Sequence, residues 1–182
     1  MELDDYMIDY HPYRGGTNPE HRPGSDSQTL SFLKQRILYD PTRKNEFEAD
    51  VCTWIEEDIL SGVKAPVVIA IAPGHSQDST GEGNLLYSIL GQFIARDNII
   101  DGRTLLHRTG KVPKSTEGGP GARDQTRHEE TIEVSVPEKM KDKEVFIFDD
   151  VWTSGATLRA CKEVAIAAGA ASVKLFAVGK TA

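Results

Sequence analysis

The chain has 182 residues, of which 38% are apolar and 27% charged, and its formal net charge at pH 7 is −7. That length fits one hydrophobic core, and the acidic balance argues against a general binder of nucleic-acid backbones, which needs a basic surface. No apolar run approaches the roughly 18 residues of a membrane span. The first residues, MELDD, lack the apolar segment of a signal peptide, so we expect a cytoplasmic protein without membrane contacts.

The two cysteines, Cys52 and Cys161, lie far apart in the sequence and inside helical patterns. Neither belongs to a CxxC pair of the kind that binds metals or carries out redox chemistry. We therefore expect two reduced thiols and no structural disulfide.

The N-terminal third has the weakest pattern. Residues 1–26 mix tyrosine and histidine with Gly, Pro, Asn and Asp and show no periodicity, which predicts a loop or a partly disordered segment. Two amphipathic helices follow, the second ending at Gly62. The first helix has Ser27 as its N-cap, and its apolar stripe is Leu30, Leu33, Ile37 and Leu38. The second helix lies beyond Pro41, and its apolar stripe is Phe47, Val51, Trp54, Ile55 and Ile59.

From residue 67 onwards the pattern alternates between strands and helices. The predicted strands are 67–72, 104–107, 132–136, 145–148 and 173–178, and the predicted helices are 85–94 and 158–168. The runs at 67–72 and 145–148 are apolar without alternation, as in strands that are buried on both faces. We therefore expect residues 27–182 to form a single α/β domain with an open, mainly parallel sheet and helices on both faces.

Two loops at strand ends carry the candidate ligand groups. Residues 73–83 are rich in Gly, Ser and Asp, and a second loop follows Asp149 and Asp150. Ligands of open α/β sheets bind beyond the carboxyl ends of the strands, so parallel strands would bring both loops to one polar crevice. Carboxylates there can accept hydrogen bonds from sugar hydroxyls, and a loop of small residues before a helix can offer N–H groups to a phosphate.

The segment 145–158, VFIFDDVWTSGATL, resembles the signature with which type I phosphoribosyltransferases bind 5-phosphoribosyl 1-pyrophosphate (PRPP). It has an apolar strand, two acids, a Ser-Gly-x-Thr loop and a helix start in that order, although Trp152 stands where a smaller aliphatic residue is common. The resemblance implies a Rossmann-like fold in which Asp149 and Asp150 hold the ribose hydroxyls. It also implies that the 5′-phosphate is surrounded by Thr153, Ser154, Gly155, Ala156 and Thr157.

The same resemblance assigns the loop after the strand 67–72 to the pyrophosphate, through Pro73, Gly74, His75 and Ser76. The polar stretch from Arg108 to Glu130 corresponds to a flexible lid over PRPP, whose cations would stabilise the leaving group and exclude water. The lid cations would be Arg108, Lys111, Arg123 and Arg127. Mg²⁺ would be bound mainly by PRPP oxygens and water, so no protein side chain is assigned to it.

A narrower resemblance, over about residues 65–182, is to the ComF-like branch of competence-associated phosphoribosyltransferase-like proteins. Its markers are Asn84 after Gly83, then Arg108, Gln125 and Arg127, ahead of the PRPP signature. Two cysteines cannot form the zinc ribbon that is usual in that branch, and the basic residues before the Gly-x-Asn segment are replaced by Ser79, Thr80 and Glu82. A role in competence therefore does not follow.

The resemblance implies an enzyme of nucleotide metabolism that transfers a phosphoribosyl group from PRPP to a nitrogen acceptor, such as a nucleobase, and releases pyrophosphate. The N-terminal third would supply a hood of helices and loops over the acceptor, and a homodimer is the usual assembly. Three alternatives stay open: a non-catalytic PRPP or nucleotide sensor, a ComF-like accessory protein, and a hydrolase of a phosphorylated sugar. The net charge disfavours direct contact with nucleic acid, and no metal-ligand cluster supports the hydrolase.

Overall fold

The computed structural model describes residues 3–13, 17–34, 40–112 and 125–182. They form a mixed α/β fold. The strands are β1 (Asp5–Tyr10), β2 (Val67–Ile71), β3 (Ile99–Gly102), β4 (Leu106–Arg108), β5 (Ile132–Val134), β6 (Glu144–Trp152) and β7 (Ser172–Thr181). The α-helices are α1 (Asp26–Lys34), α2 (Pro41–Trp54), α3 (Leu86–Gly91), α4 (Gln125–Glu129) and α5 (Ala156–Ala167).

Five strands form a parallel sheet in the order β1-β7-β6-β2-β3. The strands β4 and β5 form a separate antiparallel pair, in which Arg108 lies opposite Ile132. The expectation of an open parallel sheet is thereby confirmed. All five carboxyl ends lie at one edge of the sheet, which we call the carboxyl edge.

The centre of the sheet follows from its apolar runs. All five residues of β2 are buried, as are Val145, Phe146, Ile147 and Phe148 of β6. Strands of this kind are covered on both faces. One face packs against α1, α2 and α3 through Leu30, Val51 and Leu86, and the other packs against α5 and the β4–β5 pair through Leu158, Cys161 and Leu106.

Pro41 is the first residue of α2. Proline fits the first turn of a helix because its missing N–H has no partner there. The N-cap is Asp40, whose Oδ1 accepts hydrogen bonds from the N–H groups of Thr42 and Arg43 at 2.9 and 3.3 Å. The predicted apolar stripe continues past Trp54 into a π-helical turn, Ile55–Leu60. The predicted stripe residues Ile37 and Leu38 lie outside the described residues.

The interpretation of residues 1–26 as a loop was wrong for Asp5–Tyr10, which form the edge strand β1. The strand pairs with β7 along its length, and Asp4 extends the pairing because its N–H donates to the Leu175 carbonyl at 2.9 Å. Its pattern, DYMIDY, has too few apolar residues to predict a strand, because an edge strand needs less burial than a central one. The short strand β3 was missed for the same reason.

The strand β6 also differs from its prediction. It does not end before the acids but runs through Asp149 and Asp150 to Trp152. Backbone pairing with β7 sustains it, with Asp149 opposite Ala177 and Trp152 opposite Lys180. The two aspartates are therefore strand residues, and the turn begins only after Trp152.

Gly102 tests the packing between β3 and its neighbours. A Cβ atom at this position would lie 2.5 Å from Cγ1 of Val68 and 2.9 Å from the carbonyl oxygen of Ile69. We expect Gly102→Ala to lower the free energy of unfolding by about 1–3 kcal/mol, as overpacked core positions do. Gly62→Ala is the matched control, because a Cβ atom there meets nothing within 4 Å. Chemical denaturation of both variants is the measurement, and equal stabilities would contradict the close packing at Gly102.

Candidate functional site at the carboxyl edge

The adjacent parallel strands β2 and β6 bring the two candidate loops together. Ile71 lies opposite Phe148, and the next residue, Ala72, donates its N–H to the Phe148 carbonyl at 2.9 Å. The loop after β2 and the turn after β6 therefore leave the sheet side by side. This confirms that the two loops share one edge of the sheet.

The turn after β6, residues 153–157, leads directly into α5. Gly155 has a φ of +75°, which favours glycine, and a Cβ atom here would lie 2.3 Å from the Trp152 ring. The indole is 7% exposed and forms the floor of the turn. Because α5 begins shortly after the carboxyl end of β6, the N-terminal end of the helix lies near the carboxyl edge. Ala156 donates its N–H to Oγ of Ser154 at 3.4 Å.

The acidic pair lies just below this turn. Asp149 and Asp150 are both half-buried, and the Asp150 N–H donates to Oδ1 of Asp149 at 2.8 Å. Asp149 faces α5, because burial raises the pKa of the Cys161 thiol in that helix and Asp149 lies close enough to raise it further.

The loop after β2 is held in place by Arg108. The Arg108 Nε donates to the Gly74 carbonyl at 2.6 Å. The Arg108 backbone also pairs with the loop, because its carbonyl accepts from the Asp78 N–H at 2.7 Å and its N–H donates to the Ser79 carbonyl at 3.0 Å. Beyond β4, Val112 donates its N–H to the His75 carbonyl at 3.0 Å. These contacts fix the course of the backbone from Gly74 to Ser79.

Arg108 is a buried cation, with only 1% of its surface exposed. Its Nη1 donates to Oγ1 of Thr131 at 2.8 Å, and its Nη2 lies 3.4 Å from Nδ1 of His128. Burial lowers the pKa of the guanidinium, whereas the nearby Cys161 and Asp149 oppose that shift. Arginine keeps its charge in proteins. Arg108 therefore places a positive charge beside Asp149 and behind the loop after β2.

Arg108 was expected on a flexible lid, and the structure contradicts that assignment. It is the last residue of β4 and is buried among backbone and side-chain acceptors. A side chain that joins the loop after β2 to the segment from His128 to Thr131 is part of the framework. Lys111, three residues further on, is exposed. Arg123 lies outside the described residues, and Arg127 is placed in α4 by its backbone alone.

His128 links this framework to the turn after β6. It is 4% exposed, and its Nδ1 lies 3.4 Å from Oγ1 of Thr157 in the first turn of α5. The helix α4 that carries it packs against α5. The hydroxyl assigned to the phosphate by sequence is therefore in contact with a buried histidine. Neither His128 nor Thr131 was singled out as a site residue, because a lone polar residue in a glycine-rich stretch has no periodic pattern that predicts burial.

The two thiols have different environments. Both cysteines are free, as expected; Cys52 is half-buried and Cys161 is buried. Burial raises the pKa of the Cys161 thiol, and the neighbouring Asp149 raises it further. Cys161 is therefore a neutral packing residue beneath the acidic pair.

No family model matches this sequence, and no curated protein matches it. Within residues 3–13, 17–34, 40–112 and 125–182, no three histidine, cysteine or acidic side chains form a group that could hold a metal ion. None of the helices described in these ranges is long and apolar enough to cross a membrane.

Arg108→Lys tests the role of the guanidinium. A lysine cannot reach Gly74, Thr131 and His128 together, so buried acceptors lose their donors. We expect the free energy of unfolding to fall by about 2–3 kcal/mol. Amide hydrogen exchange should accelerate in a peptide covering residues 73–81, because that loop loses its anchor. Chemical denaturation and hydrogen exchange followed by mass spectrometry are the measurements.

The matched control for this change is Arg96→Lys. Arg96 forms an exposed salt bridge with Glu56 at 2.6 Å, which is expected to contribute less than about 1 kcal/mol. If Arg108→Lys is no more destabilising than Arg96→Lys and the loop exchanges at its original rate, Arg108 does not hold the loop.

Proposed function

We propose that this chain is a type I phosphoribosyltransferase-like enzyme, which transfers the phosphoribosyl group of PRPP to a nitrogen acceptor and releases pyrophosphate. One observation carries the proposal. The parallel pairing of β2 with β6 brings two aspartates, a turn of small hydroxylated residues and a glycine-containing loop to one edge of the sheet. These are the chemical groups that a ribose with phosphates at both ends requires.

The turn after β6 would bind the 5′-phosphate. The N-terminal end of α5 lies near the carboxyl edge, and the N-terminal end of a helix favours an anion. Thr153 is exposed and Ser154 half-exposed, so both hydroxyls are accessible to a ligand. Thr157 would contribute a hydroxyl whose position is set by His128.

The acidic pair would hold the ribose. Carboxylates accept hydrogen bonds from the 2′ and 3′ hydroxyls, and their charge supports an oxocarbenium-like centre at C1 as the bond to pyrophosphate breaks. Since Asp149 and Asp150 are adjacent and half-buried at the carboxyl edge, both could contact the same sugar. Most of the rate enhancement would then come from positioning and electrostatics, with Asp150 as the candidate base for the attacking nitrogen.

The loop after β2 would bind the pyrophosphate. Gly74 is exposed and its backbone is fixed by Arg108, so the loop would already have its binding conformation before the ligand arrives. The buried charge of Arg108 would add a favourable potential behind the loop, where screening by water is weak. This role replaces the mobile one that was expected of Arg108. Pro73, His75 and Ser76 complete the proposed loop.

Lys111 and the basic residues beyond it remain the proposed lid. Lys111 is exposed at the point where the chain leaves β4, next to Val112, which is tied to His75. Cations close to the pyrophosphate loop would stabilise the negative charge that develops on the leaving group. Mg²⁺ would neutralise part of that charge while bound mainly to PRPP oxygens and water.

The acceptor would be held by the chain that follows β1. Because β1 is parallel to the other strands, residues 11–13 and 17–25 begin at the carboxyl edge. His11 donates its N–H to Oγ of Ser27 at 3.0 Å, and the rings of Tyr13 and His21 lie 5.5 Å apart. Tyr13 is 64% exposed, so its ring is accessible to a planar base. We propose this segment as the hood.

Pyrophosphate release is the test of this function. The purified chain is mixed with PRPP, Mg²⁺ and a panel of bases, and pyrophosphate is measured. We expect the double change Asp149→Asn and Asp150→Asn to lower the rate at least about 100-fold, as the loss of preorganised charge at a transition state does. Circular dichroism of the variant checks that it is folded.

Asp142→Asn is the matched control, because Asp142 is exposed and precedes β6 at the opposite edge of the sheet. It should leave the rate unchanged. Activity that survives the double change would contradict the site assignment. PRPP binding without release on any acceptor would favour a non-catalytic sensor over the enzyme.

A further inference from the structure

A cavity of about 290 Å³ lies between the first turn of α5 and the edge strand β1. This volume is at the lower end of the range for pockets that bind small molecules. The walls consist of Leu3, Asp4, Asp5, Tyr6, Trp152, Arg159 and Lys180. We call it the β1 cavity. None of the residues assigned above to the sugar, the phosphates or the acceptor is among these seven.

Two cations face the β1 cavity, each beside an aromatic ring. The Arg159 guanidinium lies 5.0 Å from the centre of the Trp152 ring, and the Lys180 Nζ lies 5.0 Å from the centre of the Tyr6 ring. Arg159 also donates from Nη1 to the Ser154 carbonyl at 2.8 Å. In the part of the chain that the structure describes, neither cation forms a salt bridge with a carboxylate.

The two aspartates of the wall are engaged elsewhere. The Asp5 carboxylate accepts hydrogen bonds from its neighbour Tyr6 N–H at 2.8 Å and from the Trp54 Nε1 at 3.0 Å. One oxygen of Asp4 accepts from the Leu175 N–H at 2.7 Å. These bonds hold β1 to the sheet and to α2. The two carboxylates keep their charges, but they are directed to these donors and form no salt bridge with Arg159 or Lys180, whose N–H groups can therefore donate to a ligand.

We propose that the β1 cavity binds a small planar organic anion with a single negative charge, of which an aromatic carboxylate is the simplest example. Arginine offers paired donors that match a carboxylate, and lysine adds a point charge. The Trp152 and Tyr6 rings provide flat apolar walls for the rest of the ligand. A dianion fits less well, because the repulsion from the Asp4 and Asp5 carboxylates grows with the charge of the ligand.

The site is distinct from the proposed PRPP site but touches it. Trp152 is the floor of the turn after β6, and Arg159 is bonded to Ser154 within that turn. A ligand in the β1 cavity would therefore contact the two side chains that support the proposed phosphate turn. The inference does not depend on PRPP, because it rests on the cavity and its unpaired cations alone.

Isothermal titration calorimetry on the unchanged sequence provides the test, because it leaves every wall residue in place. Titration with benzoate should give a saturable binding signal. Benzamide, which is neutral and has nearly the same shape, should bind at least about tenfold more weakly, because it lacks the charge that the cations attract.

Lys180→Gln should raise the Kd for benzoate, measured by the same calorimetry, about tenfold, since it removes one of the two cations. Lys174→Gln is the matched control. Lys174 lies on the same strand and 5.1 Å from the centre of the Phe146 ring, but it is paired with Glu144 and does not line the cavity. Equal effects of the two lysine changes, equal binding of benzamide, or no saturable signal would each overturn the proposal.

Discussion

The parallel pairing of β2 with β6 is the constraint on which the rest of the site depends. Their apolar runs are buried on both faces, so a shift in register would draw flanking polar residues such as Asp149 into the core. The hydrogen bond from Ala72 to Phe148 continues the pairing to the carboxyl edge. Two loops that are more than 70 residues apart in the sequence therefore meet side by side, and a ligand can contact both.

The antiparallel pair β4–β5 contributes to the carboxyl edge by positioning Arg108 behind the loop after β2. It carries Arg108 into the interior, where the guanidinium replaces its lost hydration with the Gly74 carbonyl, the Thr131 hydroxyl and His128. Burying a charge costs free energy unless it is hydrogen-bonded and has a counter-charge nearby, and Asp149 provides part of that compensation. The result is a loop with a fixed backbone and a positive charge behind it. Both properties suit a diphosphate, which needs donors in a defined arrangement.

The sequence predicts the interior of this protein better than its edges. The strands β2, β6 and β7 and the helix α5 follow from apolar runs and helical spacing, because burial itself requires those residues. The edge strand β1 was missed because Asp5 and Asp9 interrupt its pattern, although backbone pairing with β7 is enough to hold it. The burial of Arg108 depends on acceptors contributed by Gly74, His128 and Thr131, and no local pattern connects these positions. The same limit applies to the β1 cavity, whose two cations are brought together by the fold alone.

We propose that the carboxyl edge binds a ribose carrying phosphates at both ends, and a crystal structure of the chain with PRPP and Mg²⁺ is the sharpest test of this proposal. We expect the 5′-phosphate within hydrogen-bond distance of the backbone N–H groups of residues 153–157, the ribose hydroxyls at Asp149 and Asp150, and the pyrophosphate against the loop that begins at Pro73. A PRPP molecule bound elsewhere, or one whose ribose contacts neither aspartate, would contradict it.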